Sequence, residues 1–486
     1  MVGTAKAPAG AGAGEALTSR QKTVAFVTVL IALVLEVADT TIVNTALPEI
    51  RRALDASPAA MQWIVAGYLL VLGALLLLGG RLGDAFGYRR MFLIGVSAFI
   101  VTSTFCGLAQ TPEQLVIARL LQGAAGAMMG PQVMAIVQVL FTPLERVARL
   151  AWFGVIGGLA AILGPILGGL LIEVDLFGLG WRLIFLINLP IGLFALWLGI
   201  RTIPRTHGAH GLRIDIPGAA LFAGGFAGVL LALIDGSEHG WPAWTLVSGL
   251  GGLAAIYAGW WRAQVRRRDG LAAMIEPTLF ELRTFRWGLL AILAFASSAT
   301  GFLLVLAVSL QQGLGKSPLQ TALIHVPFSL GVMAGISLIG KRYLPRFGRW
   351  LLVGGTGVLA VGGALSLARV AQGDGGSAIL LALLGLAGMG MGMVAGPLPP
   401  VVVADVDRIH AGTASATLRT AQQLGGALGI AIVGSAFFLG ANGEGAGRLA
   451  GLMPASAIFV LLLALSAIAS LRLPADIFGT RAPSPR

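Results

Sequence analysis

Ionisable side chains are scarce inside the long apolar runs of this chain, and the few present are spaced to move protons. Glu36 and Asp39 lie three residues apart in the first run, so on a helix they share a face. Two carboxylates in a low dielectric resist being ionised together, which suits one of them to carry a proton. Counted along its helix, Asp39 lies ~14 Å below the nearer end of its run, Glu36 ~20 Å, and Arg119 ~10 Å below the start of its own. Asp39 and Arg119 are therefore expected to meet at similar depth, as a proton site or as a purely structural ion pair. His325, ~11 Å into a later run, is a further group that could titrate, or a neutral ring satisfied by a neighbour. An ionisable group near the bilayer centre costs at least ~2.5–3.5 kcal/mol, which makes each of these a functional candidate. No nucleophile with an adjacent base accompanies them, so bond-breaking chemistry is not expected.

Helices long enough to cross a bilayer must position these groups. Over 486 residues, 57% are apolar and 11% charged, and the mean hydropathy is +0.88. A soluble domain carries roughly a quarter charged residues, so this composition excludes one. About 20 apolar residues span the hydrocarbon layer. Such runs occur near 22–48, 59–80, 91–110, 113–140, 147–172 and 182–200, then 214–234 and 243–262, then 287–310, 319–340, 350–370, 377–402, 411–438 and 452–471. The expected fold is all-α and membrane-embedded, with fourteen spans. Residues 1–21 read as a disordered cytoplasmic tail, 22–200 as a six-helix bundle, 201–286 as two linking spans with their loops, 287–471 as a second six-helix bundle, and 472–486 as a tail.

Lys and Arg set the orientation, because basic loops stay in the cytoplasm. With the N-terminus inside, 25 basic residues fall on inner segments and five on outer ones, namely Arg51, Arg52, Arg182, Lys316 and Arg448. Both termini, and the loop expected around Arg266 to Arg268, are placed in the cytoplasm. The net charge of +12 then needs no nucleic acid. The single cysteine, Cys106, precludes an internal disulfide, and no Cys and His cluster has metal spacing. His207 and His210 share an inner loop and read as solvated.

Asp84 differs from the buried acids, since it falls in a short turn between the second and third runs. There it is expected to pair with Arg89 or Arg90 and to latch helix ends, rather than sit as a solvated turn residue. Gly80–Gly87 and Gly340–Gly348 occupy equivalent turns of the two halves, a faint internal repeat. Gly154, Gly157, Gly158, Gly164, Gly168 and Gly169 let the fifth run approach its neighbours, and Pro165 bends it.

These turns carry a resemblance. Gly80, Leu82, Asp84, Gly87 and Arg89 resemble the signature loop of the major facilitator superfamily, with Ala85 and Tyr88 where basic residues are usual. Leu115, Arg119, Gln122 and Gly123 match its fourth-helix motif. Gly164-Pro165-Ile166-Leu167-Gly168-Gly169 matches the motif associated with antiporters, with Ala160 replacing a glycine. Asp39 to Pro48, Trp63 with Tyr68, Trp181-Arg182, Ile187 to Pro190, Gln311 to Pro318 and Gly412 to Gly429 are similar to the fourteen-helix drug:proton antiporter branch. Arg419 and Gln422 depart from it, the basic charge having moved by three residues.

The resemblance implies two six-helix bundles around a central cavity that opens alternately to each side. It implies proton-coupled export of small lipophilic molecules, with a dedicated metabolite exporter or an uptake carrier of the same fold as alternatives. Proton coupling would fall to Asp39, Glu36, Arg119 and His325. The substrate cavity would be lined by Glu36, Asp39, Asn44, Trp63, Tyr68, Gln122 and Arg419. The gate would be Gly80, Asp84, Gly87, Arg89 and Arg90, and the antiporter helix would rely on Gly164, Pro165, Gly168 and Gly169. Acids in the cavity would favour lipophilic cations, with Arg119 and Arg419 leaving room for neutral or anionic compounds. No cofactor or metal is expected, only a proton gradient, and the expected partners are a small-molecule substrate, protons and the lipid bilayer. The chain is expected to act as a monomer in the cytoplasmic membrane.

Overall fold

Ser/Thr-Pro pairs start several of the long helices. Proline at the first helical position gives up an amide that would be unsatisfied anyway, and the preceding hydroxyl caps the turn. Ser57 Oγ accepts from Ala60 N at 3.1 Å, Thr111 Oγ1 from Gln114 N at 3.3 Å, and Ser317 Oγ from Gln320 N at 3.2 Å. The computed structural model describes residues 18–206, 208, 215–271, 273–407, 410–441 and 445–474. His207, His210, Arg408 and both outermost tails lie outside them.

The helices are α1 Ser19–Leu54, α2 Pro58–Phe86, α3 Tyr88–Leu108, α4 Pro112–Leu140, α5 Pro143–Val174, α6 Leu183–Leu186, α7 Asn188–Thr202, α8 Ile216–His239, α9 Ala243–Arg268, α10 Arg283–Val308, α11 Pro318–Ala334, α12 Lys341–Phe347, α13 Arg349–Ala371, α14 Ala378–Ala395, α15 Leu398–Val402, α16 Ala411–Gly440 and α17 Leu452–Leu471. Among the described residues, twelve helical segments are long and apolar enough to cross a membrane. They leave out α5, a helix of 32 residues, and α9, one of 26.

Three expectations change here. The first helix begins at Ser19, inside the stretch read as tail, because Thr18 and Gln21 form a reciprocal capping box. Arg266 to Arg268 form the last turn of α9 instead of a loop, where cations meet the negative end of the helix dipole. Asp84 lies in the last turn of α2, because that helix continues to Phe86.

Two bundles result. In the first, α2 packs on α4, α3 on α4, α1 on α5, and α7 on α1 and α3. In the second, α10 packs on α16 and α17, α14 on α11 and α13, and α13 on α17. The α8–α9 pair lies beside them, α8 touching both α2 and α16. Lipid gives apolar helices no reason to prefer one another, so close approach through small residues decides the packing. Gly123 shows the constraint, since a Cβ there would lie 2.6 Å from the Tyr68 carbonyl oxygen of α2.

The turn at Asp55 marks one face of the molecule and Gly87 the other. The bundles meet towards the Asp55 face. Gln311 Nε2 donates to the Thr45 carbonyl at 2.9 Å, Arg51 Nη1 to Gln312 Oε1 at 2.9 Å, Ser317 Oγ to Glu173 Oε2 at 3.3 Å, and Ser435 Oγ to Gln62 Oε1 at 3.2 Å.

Candidate functional site: a buried carboxylate cluster and an inter-bundle ion pair

Asp39 lies within α1 and is 1% exposed. Its Oδ2 accepts from Arg119 Nη1 at 2.6 Å, and its Oδ1 from Gln122 Nε2 at 2.9 Å and Asn188 Nδ2 at 3.5 Å. Arg119, wholly buried in α4, also donates through Nε to the Ile64 carbonyl at 3.1 Å and through Nη1 to Gln122 Oε1 at 2.8 Å. Its guanidinium lies 4.1 Å from the centre of the Tyr68 ring, which offers a negative π face. Asn188 Nδ2 reaches Ser103 Oγ at 3.0 Å, and Cys106 Sγ lies 3.4 Å from Gln122 Oε1. Five helices, α1, α2, α3, α4 and α7, thus converge on one carboxylate.

The arrangement follows from spacing. Arg119 and Gln122 are three apart on α4 and both face α1, while the turn between α6 and α7 aims Asn188 at the same point. Attraction between the buried ions offsets their desolvation with the help of the further bonds to Gln122, Asn188 and the Ile64 carbonyl, while Arg119 Nη2 is buried without a hydrogen-bond partner among the described residues.

Glu36 does not share this cluster. Its Oε1 accepts from Arg419 Nη2 of α16, in the other bundle. The expected mutual coupling of Glu36 and Asp39 is therefore replaced by two separate ion pairs, because two arginines on different helices reach the two acids. Glu36 is 4% exposed and Arg419 31%. Gly130 of α4 makes room for the pair, since a Cβ there would lie 2.8 Å from Glu36 Oε2 and 3.4 Å from Arg419 Nη1.

The other predicted residues are dispersed. Tyr68 and Gln122 are wholly buried in the Asp39 cluster. Trp63 points away from it and donates through Nε1 to Asp235 Oδ2 of α8 at 2.8 Å. Asn44 Oδ1 is buried without a partner among the described residues. Half-buried His325 keeps Nδ1 2.7 Å from the Thr321 carbonyl of its own helix. In α5, a Cβ at Gly168 would collide with Ile42 of α1, and one at Gly169 would lie 2.7 Å from Leu319 Cα of α11. Pro165 sits inside that helix and Gly164 packs against Thr41.

The gate residues are arranged differently from the sequence expectation. Asp84 Oδ1 accepts from Tyr88 Oη at 3.0 Å, and among the described residues neither Arg89 nor Arg90 forms an ion pair with it. Tyr88, which stands where a basic residue is usual, is four positions on and supplies the donor. Arg89 turns to the Ile200 carbonyl at the end of α7, at 2.6 Å, and its amide donates to Thr206 Oγ1 at 3.1 Å. Gly87, at φ 91°, holds the turn where a side chain would strike the Thr206 carbonyl. Gly80 lies along α4, where a Cβ would come to 3.8 Å from Pro131 Cβ.

Sequence reasoning held Asn188 only as part of the Ile187 to Pro190 motif, with no role assigned, and missed Ser103, Asp235 and Glu238. Glu238 Oε2 accepts from Ala59 N at 2.6 Å and Ser57 Oγ at 3.2 Å, so α8 caps the start of α2. The predicted span ended at 234, one residue before this pair. The 3-residue spacing of Asp235 and Glu238 on one face was the available signal.

Two helical bundles across a bilayer, with paired charges buried between and within them, define a membrane carrier. The chain belongs to the Major Facilitator Superfamily, whose family model matches residues 29–430, and is a transporter and not an enzyme. It is 40% identical over 413 residues to a probable actinorhodin transporter of Streptomyces coelicolor, covering 84% of this chain and 71% of that one. It is 36% identical over 414 residues to a puromycin resistance protein of Streptomyces alboniger, covering 84% and 80%. Among solved structures, a bacterial homologue of the human lysosomal transporter Spinster superposes with a TM-score of 0.67 at 16% identity, over 96% of this chain and 100% of that chain. That likeness concerns the fold. The relatives agree with the resemblance to the drug:proton antiporter branch.

Proposed function

We propose that the chain is a proton-coupled antiporter that exports small lipophilic molecules by alternating access. The Asp39 carboxylate carries the reading, because it is sealed inside a span and tied to helices that must shift together. Protonating Asp39 removes the anion that Arg119 and Gln122 hold, which loosens α1 from α4 and biases the two access states against each other. In this reading α5 and α9 also cross the membrane, giving fourteen spans. The Gly87 face, with its excess of Lys and Arg, is then cytoplasmic together with both termini. The closed contacts at the Asp55 face make the state described here one that is shut towards the outside.

Names of relatives support export in preference to uptake, and the names for single antibiotics favour a dedicated exporter of one endogenous compound as the second reading. The chain acts as a monomer with no cofactor, driven by the proton gradient. Everted membrane vesicles test this. Under an imposed pH gradient, substrates should enter the vesicle lumen as protons leave it. Substrate movement in the opposite direction, or movement indifferent to the gradient, would overturn the reading.

A further inference from the structure

Among the described residues, four charged side chains, Glu36, Asp39, Arg119 and Arg419, form ion pairs deep within the spans, and they are not equally available to a ligand. Asp39 and Arg119 are sealed, each side chain being 0% exposed, and Glu36 is nearly so at 4%. Arg419 alone keeps appreciable surface, 31%, although it lies between α1, α4 and α16, where the bundles meet. Glu36 accepts from Nη2 of its guanidinium, and Nη1 and Nε have no partner among the described residues. The charge offered to a bound molecule is therefore positive. Sequence alone had favoured cations, because the two acids were counted without knowing that each was already covered.

We propose that the substrates are lipophilic molecules bearing an acidic oxygen, a carboxylate or phenolate, which binds the free donors of Arg419. A guanidinium keeps its charge, and with Nη1 and Nε still free it can give such an oxygen a charge-assisted hydrogen bond, while its weak hydration makes burial tolerable. Glu36 accepts from Nη2 and so anchors the guanidinium on the first bundle. Gly130 matters for the same reason, because a Cβ there would come to 2.8 Å from Glu36 Oε2 and displace that carboxylate. Proton and substrate then occupy different groups, Asp39 and Arg419, and their exchange runs through the access state and not through one shared carboxylate. This rests on reading the bundle interface as the transport path.

Fluorescein and rhodamine 123 share a xanthene ring system and differ in charge, so they make a matched pair of probes. Equilibrium binding to the full-length protein in detergent, with no gradient present, reads charge preference without requiring transport. Fluorescein should bind the unmodified protein at least about ten-fold more tightly than rhodamine 123, the worth of one charge-assisted hydrogen bond. Arg419→Gln should cost about ten-fold or more for fluorescein and less than about two-fold for rhodamine 123. Arg419→Lys should recover part of the loss. A single symmetric peak in size-exclusion chromatography qualifies each variant. Absent fluorescein binding, tighter rhodamine 123 binding, or equal loss of both dyes in Arg419→Gln overturns the proposal. Gradient-driven flux in vesicles is scored separately, so a carrier that moves rhodamine 123 against protons would refute the substrate class and leave the antiport reading standing.

Discussion

Replacing Asp39 by Asn keeps the shape of the side chain and one acceptor for Gln122, but removes the anion that Arg119 Nη1 contacts at 2.6 Å. Arg119 is then left as a buried cation whose remaining acceptors are the Ile64 carbonyl and Gln122 Oε1. Removing one partner of a buried pair costs about 3–5 kcal/mol, and those two acceptors place this case towards the lower figure. Neutralising both charges at once should be much cheaper, so Asp39→Asn with Arg119→Gln is expected to recover most of the loss. Unfolding in mixed micelles measures this. Coupling should behave oppositely, because neither variant has a titrating group at position 39. Uphill export in everted vesicles should collapse in the single and in the double variant alike, and substrate binding should lose most of its pH dependence. Normal proton release with uphill export in Asp39→Asn would remove Asp39 from the mechanism. A single variant no less stable than the double would refute the energetic reasoning.

Four further outcomes are expected. A cysteine at Gly270, in the turn after α9, should react with an impermeant thiol reagent only when the cytoplasmic side is exposed; labelling in intact cells would invert the topology. Tyr88→Phe and Asp84→Asn should each slow transport about five-fold with binding nearly unchanged, the worth of ~1 kcal/mol in one hydrogen bond; a large loss of binding would place the turn in the substrate site. Gly169→Ala should force α5 from Leu319 of α11 and raise thiol labelling from outside at a cysteine replacing Thr45; unchanged labelling would show that this contact does not hold the outer face shut. Burial pushes the Asp374 carboxyl up, but Ser377 Oγ and N, Gly376 N and Arg369 outweigh it and hold it down at about 2. Its contribution to the α13–α14 turn is complete above the ordinary carboxylate value near ~4 and fades only as pH falls through about 2. The destabilisation caused by Asp374→Asn should therefore be the same at pH 5 and pH 8, and a difference between them would contradict the hydrogen bonding.

Twelve of the fourteen expected spans were legible among the described residues, because a bilayer demands one property, an apolar run of sufficient length, and a sequence displays it directly. Helix ends were less so. Thr18 with Gln21 extends α1 back to Ser19, and α2 runs on through Asp84, since capping and apolar content are separate signals. Depth counting brought Asp39 and Arg119 to the same level, because rise per residue is nearly constant in helices. It could not assign partners across bundles, which depend on how two rigid units face each other. Glu36 therefore looked like a companion of Asp39, when its partner stands 383 positions away on α16. Trp63 looked like a cavity residue for the same reason, since nothing in its own helix reveals that α8 brings Asp235 against it.

The position of α8 bears on how such a molecule can move. If the outer face is to open, Gln62 of α2 and Ser435 of α16 must part, and α8 is bonded to both helices. To α2 it presents two carboxylates, Asp235 on Trp63 and Glu238 on the first turn. To α16 it presents the Ser237 hydroxyl and the Leu233 carbonyl, both on Ser435. Hydrogen bonds to ionised acceptors are roughly twice as strong as neutral ones, so the α16 contacts yield first. Asp215 reinforces the same division by capping α8 while pairing with Arg262 of α9 at 2.9 Å, so the two accessory helices move as a unit. In the proposed alternating-access cycle the pair would travel with the first bundle, and Ser435 would mark the seam along which the Asp55 face opens.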